Sequence, residues 1–417
     1  MNTIDKFLLE FKWRDKLRIL LLFLFMCIAF SIPFGHEYGR KIIILAFIVW
    51  LFVVKKEDLI YFLKHRVIIV LFLFLVMHYI SLLWSEHLKD GLYYIRILWM
   101  YIFTPLFIYA TTMTKYSIKY IISAFIFGML INEVISYLIY FDLYQTELSK
   151  INRWPVGFIH HITYSVFVSF SAILILFQAK NLKNKYIKFL YITFFITMTI
   201  NLIISGGRTG YVVYFTSLII LLFSYYKINW KNFLQLLLFP TFVFIIGYKL
   251  NEDVQKRIEA TIIATKNASN NANYDSSFGA RLAFYPLSLD ILKQDYNSYI
   301  FGVGTGDIPS ELLNSIKRTK LLSSKHTHTH NSYMEAYLNV GVVGLVLLIM
   351  FFYFIWKIKV KNKEILFIKQ LIVINISVSV LSDRIFNITE SMFFLSIFFA
   401  LVLAQEKIEK KEMLTND

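Results

Sequence analysis

The chain has 417 residues, 58% of them hydrophobic, with 41 phenylalanines and a formal charge of +16 at pH 7. Ordinary soluble chains are about 45–50% apolar; here the apolar residues come in long blocks divided by short polar runs, which excludes a soluble domain and reads as an all-α polytopic membrane protein. The positive charge lies mostly in short loops, a distribution that orients a membrane protein and calls for no nucleic acid. The single cysteine, Cys27, rules out an intrachain disulfide.

The chain begins with Lys6, Lys12, Arg14, Lys16 and Arg18 ahead of the apolar run Ile19 to Ile32. A long basic lead without a small-x-small cleavage site predicts a retained signal anchor. About twelve spans follow, at 17–34, 41–54, 67–84, 92–113, 118–140, 161–178, 186–204, 210–226, 233–250, 333–356, 365–382 and 390–404. The second is short for a bilayer needing about 20 residues. Lysine and arginine clusters at 55–66, 115–119, 180–188, 227–231, 357–363 and 407–411 all fall on one side of this topology. The positive-inside rule makes that side cytoplasmic, together with both termini. The same topology sets Arg153, Arg208, Arg281, His330 and Arg384 on the opposite face.

These spans divide the chain into transmembrane helices 1–9 over residues 1–250, an extramembrane loop or lid over 251–332, and the last three spans with a charged tail over 333–417. In the loop, Val254, Ile258 and Ile262 share one face of a helix. The tract from Asn267 to Ser277, rich in Asn, Ser and Ala, reads as a connector. A second helix is predicted from Ala280 to Gln294, kinked at Pro286. Gly302-x-Gly304-x-Gly306 lacks the Lys-Ser/Thr of a phosphate-binding loop and reads as a turn. Asp307 and Pro309 then start a short helix to about Lys317. With too little apolar content for a core of its own, the loop should lie on the bundle.

Several residues stand out as candidates for chemistry. Ser205-Gly206-Gly207-Arg208-Thr209-Gly210 is a tight turn between spans that holds Arg208 at the membrane face; the plainer reading is a snorkelling interfacial arginine. Arg281 follows a serine-rich stretch and could be a solvated loop charge. Arg153 has Trp154 beside it as an interface anchor. Taken together, arginines facing one compartment with few acidic partners nearby suit a polyanion, because guanidinium grips phosphate oxygens in bidentate fashion.

His326, His328 and His330 alternate, so an extended segment would set them on one face, as for zinc. No nearby cysteine and no H-E-x-x-H helix supports a metal, and none is expected. His160 and His161 precede a span and could line the same cavity or simply pack there. Ser332 and Glu335 have capping-box spacing, which sets His330 just outside a helix N-terminus, where the dipole disfavours a protonated ring and leaves it able to accept a proton. Asp383 and Arg384 read as an ion pair, with Glu390 as a second partner for Arg384.

With these motifs in order, the chain resembles the O-antigen ligase and polymerase superfamily of bacterial envelope enzymes, and most of all the O-antigen ligases. The resemblance covers the twelve-span architecture, the large loop between the ninth and tenth spans, and four short motifs. Ser205 to Gly210 resembles the family's turn with an essential arginine, Arg208 here. Ser277-Phe278-Gly279-Ala280-Arg281-Leu282 resembles the segment with a second, Arg281. His328-Thr329-His330-Asn331, with Glu335 and Gly341 to Gly344 behind it, resembles the histidine motif and gives the catalytic role to His330. Leu381-Ser382-Asp383 resembles a segment near the family's C-terminus.

The resemblance implies a GT-C-like fold in the bacterial inner membrane, with the site facing the periplasm. It implies a metal-independent, cofactor-free glycosyltransferase that moves a glycan from undecaprenyl diphosphate to lipid A–core, with inversion. His330 would be the general base; Arg208 and Arg281 would hold the diphosphate; Arg153, His161, His328 and Arg384 would line the substrate site. Partners would be the two lipid-linked substrates and membrane lipids. Alternatives are a polymerase or a protein O-oligosaccharyltransferase of the same superfamily and, from another class, a lipid-linked-sugar transporter. No glycine here has an arginine eleven positions before it, which speaks against a polymerase. The short tail after Ala404 speaks against an O-oligosaccharyltransferase, and the scarcity of ionisable residues within the spans speaks against a transporter.

Overall fold

The computed structural model describes residues 3–111, 115–152, 154–225, 238, 241–242, 245–249, 252–271 and 273–414. Arg153 and most of the ninth predicted span lie outside the described residues. The chain is all-helical, with no strand among the described residues. Before the large loop come α1 (Thr3–Ser31), α2 (His36–Leu51), α3 (Lys56–Leu63), α4 (Arg66–Ser81), α5 (Leu88–Leu98), α6 (Met100–Thr111), α7 (Lys115–Tyr140), α8 (Glu147–Asn152), α9 (His161–Asn181), α10 (Lys185–Ile204) and α11 (Arg208–Tyr225). The loop holds α12 (Glu252–Asn271), α13 (Ser277–Lys293), α14 (Ser298–Phe301) and α15 (Ile308–Thr319). The last three helices are α16 (Ser332–Lys357), α17 (Lys363–Ser379) and α18 (Thr389–Leu414).

Seven stretches among the described residues are long and apolar enough to cross a bilayer: Trp13–Phe34, Leu88–Tyr109, Tyr116–Tyr140, His161–Asn181, Lys185–Ile204, Ser332–Lys357 and Thr389–Met413. The pair α3 and α4, bent by 70° at its break, would make an eighth. The predicted spans at 41–54 and 365–382 are helices of 16 and 17 residues, shorter than the roughly 20 a straight crossing takes. α9 is buried from Ile162 to Ile175, as is α18 from Met392 to Ala404, so these two form the centre of the bundle. Outer helices expose large apolar side chains such as Phe47, Phe72 and Phe189, which suits contact with lipid rather than water. This is a membrane-embedded helical bundle.

The last three helices each connect two chemically different ends. At one end Lys407 lies 2.5 Å from Asp58, and Lys410 lies 2.9 Å from Glu406. There Glu409 also accepts the backbone N–H groups of Lys361 and Asn362, at 2.6 and 2.9 Å. The basic clusters at 55–66, 357–363 and 407–411 therefore meet. At the far ends of the same helices stand His330, Asp383 and Arg384. α16 alone has 26 residues and so separates the two ends by at most about 39 Å.

The loop is seated on a break in α16. Gly341, at φ 69° and ψ −161°, interrupts the helix there. The interruption frees the carbonyl of Leu338, which accepts a 2.7 Å hydrogen bond from Val303 N–H of the loop. The three glycines before α15 all have positive φ (75°, 110° and 110°), confirming a turn. A second fastening is the Asp307 carboxylate, which accepts the backbone N–H groups of Glu86 and His87 at 3.1 and 2.9 Å and lies 2.8 Å from His87 Nδ1.

Three expectations for the loop need correction. It does have a small core: Ala283, Phe284, Leu287 and Ile291 of α13 pack against Ile308, Leu312 and Ile316 of α15, with Leu338 of α16 closing the cluster. The apolar residues are few but fall on two facing stripes. The expected connector from Asn267 to Ser277 is helical up to Asn271, because α12 carries on through Ala268 once its earlier turns have formed. α13 begins at Ser277 rather than Ala280, since Ser276 Oγ accepts from Gly279 N–H at 2.9 Å and caps it. It then runs through Pro286 as one helix.

A Cβ at position 341 would lie 2.0 Å from the carbonyl oxygen of Ile300 and would also meet a positive φ. Gly341→Ala should therefore destabilise the fold by about 1–3 kcal/mol from backbone strain alone. Thermal melting in detergent checks this: the midpoint should fall for Gly341→Ala and stay near wild type for the exposed Val342→Ala.

Candidate active site

Arg208 is positioned by its glycines. Ser205 ends α10, Gly206 adopts φ 69° against the Trp154 ring, and α11 starts at Arg208. A Cβ at Gly207 or Gly210 would come within 2.1 and 2.4 Å of the Ser165 side chain, so both glycines let α11 lie against α9. Arg208 Nη1 donates to Thr261 Oγ1 of α12 at 2.6 Å, and its guanidinium sits 5.6 Å from the Phe278 ring centre. Arg281, on α13, donates through Nε to Ser382 O at 3.0 Å and through Nη1 to Ser277 O at 2.8 Å. Burial pushes its pKa down and the Asp383 charge resists this; an arginine stays protonated regardless.

His330 precedes α16 in a left-handed conformation, φ 52°. That region is sparsely populated for a residue with a side chain and is held by its neighbours. The cap is Asn331, not Ser332: the Asn331 side chain accepts from Tyr333 and Met334 N–H at 3.0 and 3.1 Å. The predicted capping box is therefore corrected, because both of its side chains are used elsewhere. Ser332 Oγ faces the 383–386 segment. Glu335 accepts from Asn387 Nδ2 at 2.6 Å and lies 3.9 Å from Arg384 Nε. Glu390, the other expected partner of Arg384, pairs instead with His36 at 2.6 Å.

Asp383 turns to His330, with Oδ1 3.0 Å from Nδ1 and 2.8 Å from Arg384 N–H. Burial pushes the Asp383 carboxyl up, but the His330 contact, the Arg384 N–H and the Arg281 charge outweigh it, and its pKa lies below the ordinary carboxylate value. An ionised carboxylate only accepts hydrogen bonds. In its neutral form His330 then carries its proton on Nδ1 and holds the lone pair on Nε2. This is the arrangement of an oriented base.

A single cavity of about 560 Å³ is lined by His161, Arg208, Arg281, His328, His330, Asp383 and Arg384. Every sequence-predicted site residue except Arg153, which lies outside the described residues, thus meets in one space. Three arginines and one carboxylate line it, so its charge favours an anion. His328 and His330 stand with their rings 4.2 Å apart, and Phe284 packs against both His330 and, edge-on, His326. One ligand atom each from His328, His330 and Asp383 lie within 4.8 Å of one another, a group able to hold a metal ion. Sequence reasoning read Asp383 as the partner of Arg384 and missed its tie to His330; its only signal was membership of the Leu381-Ser382-Asp383 motif. Ser277, Phe278 and Ser382, also on the cavity wall, were visible only as motif neighbours.

Fold and site together define a class: a polytopic helical membrane protein with a polar cavity walled by arginines and histidines. Residues 193–349 match the family model described as O-antigen ligase, a stretch that includes Arg208, Arg281 and His330. Over that stretch the chain is similar to the O-antigen ligase family, which supports membership of the O-antigen ligase/polymerase superfamily. No curated protein matches the chain.

His328 supplies a pH test of this environment. Burial first, then the charges of His330 and Arg384, lower its pKa from 6.5 to about 4. The unfolded chain takes up that proton near 6.5, whereas the folded chain resists until about 4. The stability tied to a neutral ring is thus complete above 6.5 and is lost as pH falls between those values. In melting curves, His328→Gln should lose less stability than wild type on going from pH 7 to pH 4.5.

Proposed function

We propose that the chain is an O-antigen ligase, an inverting glycosyltransferase that moves a glycan from undecaprenyl diphosphate to a lipid A–core acceptor. The observation that carries this reading is the gathering of Arg208, Arg281 and the His330–Asp383 pair around one cavity. His330 Nε2 takes the proton of the acceptor hydroxyl as its oxygen attacks the anomeric carbon. The C–O bond to the diphosphate breaks on the opposite face, which inverts that carbon. Arg208 and Arg281 hold the diphosphate and stabilise the charge it gains on leaving. Diphosphate leaves readily, so no general acid is needed, and the guanidiniums supply the positive charge a metal would otherwise bring. Arg153, His161, His328 and Arg384 complete the substrate site in this reading.

The same proposal sets the cavity at the periplasmic face of the inner membrane, with twelve spans, residues 251–332 as a periplasmic loop and both termini in the cytoplasm. The meeting of three basic clusters at the far end of α16 to α18 supports that orientation under the positive-inside rule. Both substrates are amphiphiles, so they reach the cavity along the lipid surface as well as from water.

A two-substrate assay in detergent containing EDTA tests the assignment. His330→Ala should lose transfer by about 10²–10⁴-fold, the usual worth of a positioned base, while melting like wild type. Arg208→Lys should bind donor more weakly despite its retained charge, because the bidentate grip is gone. Full transfer by His330→Ala would contradict the role of the base, and wild-type donor affinity in Arg208→Lys would contradict that of the arginine.

A further inference from the structure

His328 stands beside the His330–Asp383 pair, and the three together make a donor set that the transfer reaction does not call for. Asp383 Oδ1 lies 3.0 Å from His330 Nδ1, and the rings of His328 and His330 are 4.2 Å apart. One ligand atom from each of the three residues falls within 4.8 Å of the others. All three side chains line the same cavity, so an ion arriving from water reaches them. The carboxylate comes from 53 positions beyond His330, which is why the alternating histidines alone fell short of a metal motif.

The donor set selects the ion. Two imidazoles and one carboxylate suit zinc and similar divalent transition metals, whereas magnesium and calcium take oxygen ligands. Three protein ligands with one side open to a cavity is a zinc arrangement that leaves a fourth position for water. The same wall limits the affinity. Arg208, Arg281 and Arg384 line the cavity, and their charge opposes a cation, offset only by the Asp383 carboxylate. The ion is therefore held reversibly, more weakly than in a site built for a resident metal.

We propose that His328, His330 and Asp383 form an inhibitory zinc site. Binding there removes the base whichever nitrogen of His330 coordinates. Zinc on Nε2 uses up the lone pair that would accept the proton of the acceptor hydroxyl. Zinc on Nδ1 displaces the proton there, which passes through water to Nε2, and Nε2 then donates instead of accepting. The ring stays neutral in both cases, so no proton is gained or lost overall. The metal binding stands on the geometry alone, while its inhibitory effect rests on the ligase reading, in which His330 is the base.

The purified full chain, stripped with EDTA and exchanged into phosphate-free buffer, is titrated calorimetrically with zinc chloride. His328→Gln and Asp383→Asn should each weaken binding by at least about tenfold, since even a residue that only supports a metal ligand is worth about 10–100-fold in affinity. His326→Gln, outside the donor set, should bind zinc as wild type does. His328→Gln leaves the His330–Asp383 bond in place, so it keeps the test open if Asp383→Asn fails to fold. In the two-substrate assay run without chelator, zinc should stop transfer by wild type and EDTA should restore it. Zinc held equally by wild type and His328→Gln, or by neither, overturns the site and leaves the ligase reading untouched. Zinc bound at the site with transfer undiminished, or transfer that requires zinc, overturns the inhibitory role. No transfer by wild type with or without zinc overturns the ligase reading, while the metal binding stands on its own titration.

Discussion

The contact on which the site depends is the 3.0 Å hydrogen bond between His330 and Asp383. Asp383 stands in the short segment between α17 and α18, and that segment is the point where separate parts of the chain are tied. Ser382 accepts Arg281 Nε through its carbonyl and donates through Oγ to Thr209, the neighbour of Arg208. Val380 O accepts Ser332 N–H at the start of α16. One segment of a few residues thus fixes both arginine-bearing elements and the histidine relative to one another. Positioning of this kind is what converts a cluster of polar side chains into an arrangement able to lower a barrier.

The surrounding architecture serves to keep that segment still while leaving the cavity open. α9 and α18 fill the centre of the bundle, and the arginines and histidines of the site collect in one cavity. The break at Gly341 lets the loop glycines approach the α16 backbone, and Val303 takes over the carbonyl that the break releases. α13 is then held by its packing with α15 and Leu338, which carries Arg281 to the cavity wall. Three guanidiniums on one wall repel each other, and an anionic ligand relieves that repulsion.

Much of this was legible in the sequence because a bilayer allows so few solutions. Apolar blocks must be helices there, and the expected topology set Arg208, Arg281 and His330 on one face; the structure brings the three to one cavity. The motif resemblance added roles to those positions. What local patterns could not show were contacts between residues far apart in sequence. Asp383 reaches His330 across 53 positions, and the nearer reading, a pair with Arg384, was wrong for that reason. Glu335 fell at capping-box spacing, yet its carboxylate serves Asn387 and Arg384, while Asn331 caps the helix. The core of the loop was missed because its stripes on α13 and α15 are short and become a core only when folded against each other.

The central claim is that the Arg208 turn and the His330 motif open to one side of the membrane, opposite the lysine-rich loops. Single cysteines in a Cys27→Ser background, at Val212, Thr327 and Lys183, can be tested with a membrane-impermeant thiol reagent on sealed vesicles of known orientation. Positions 212 and 327 should label from the same, periplasmic side, and position 183 only from the other. Labelling of 212 and 327 from opposite sides would contradict the account, since the two halves of the site could then share no cavity.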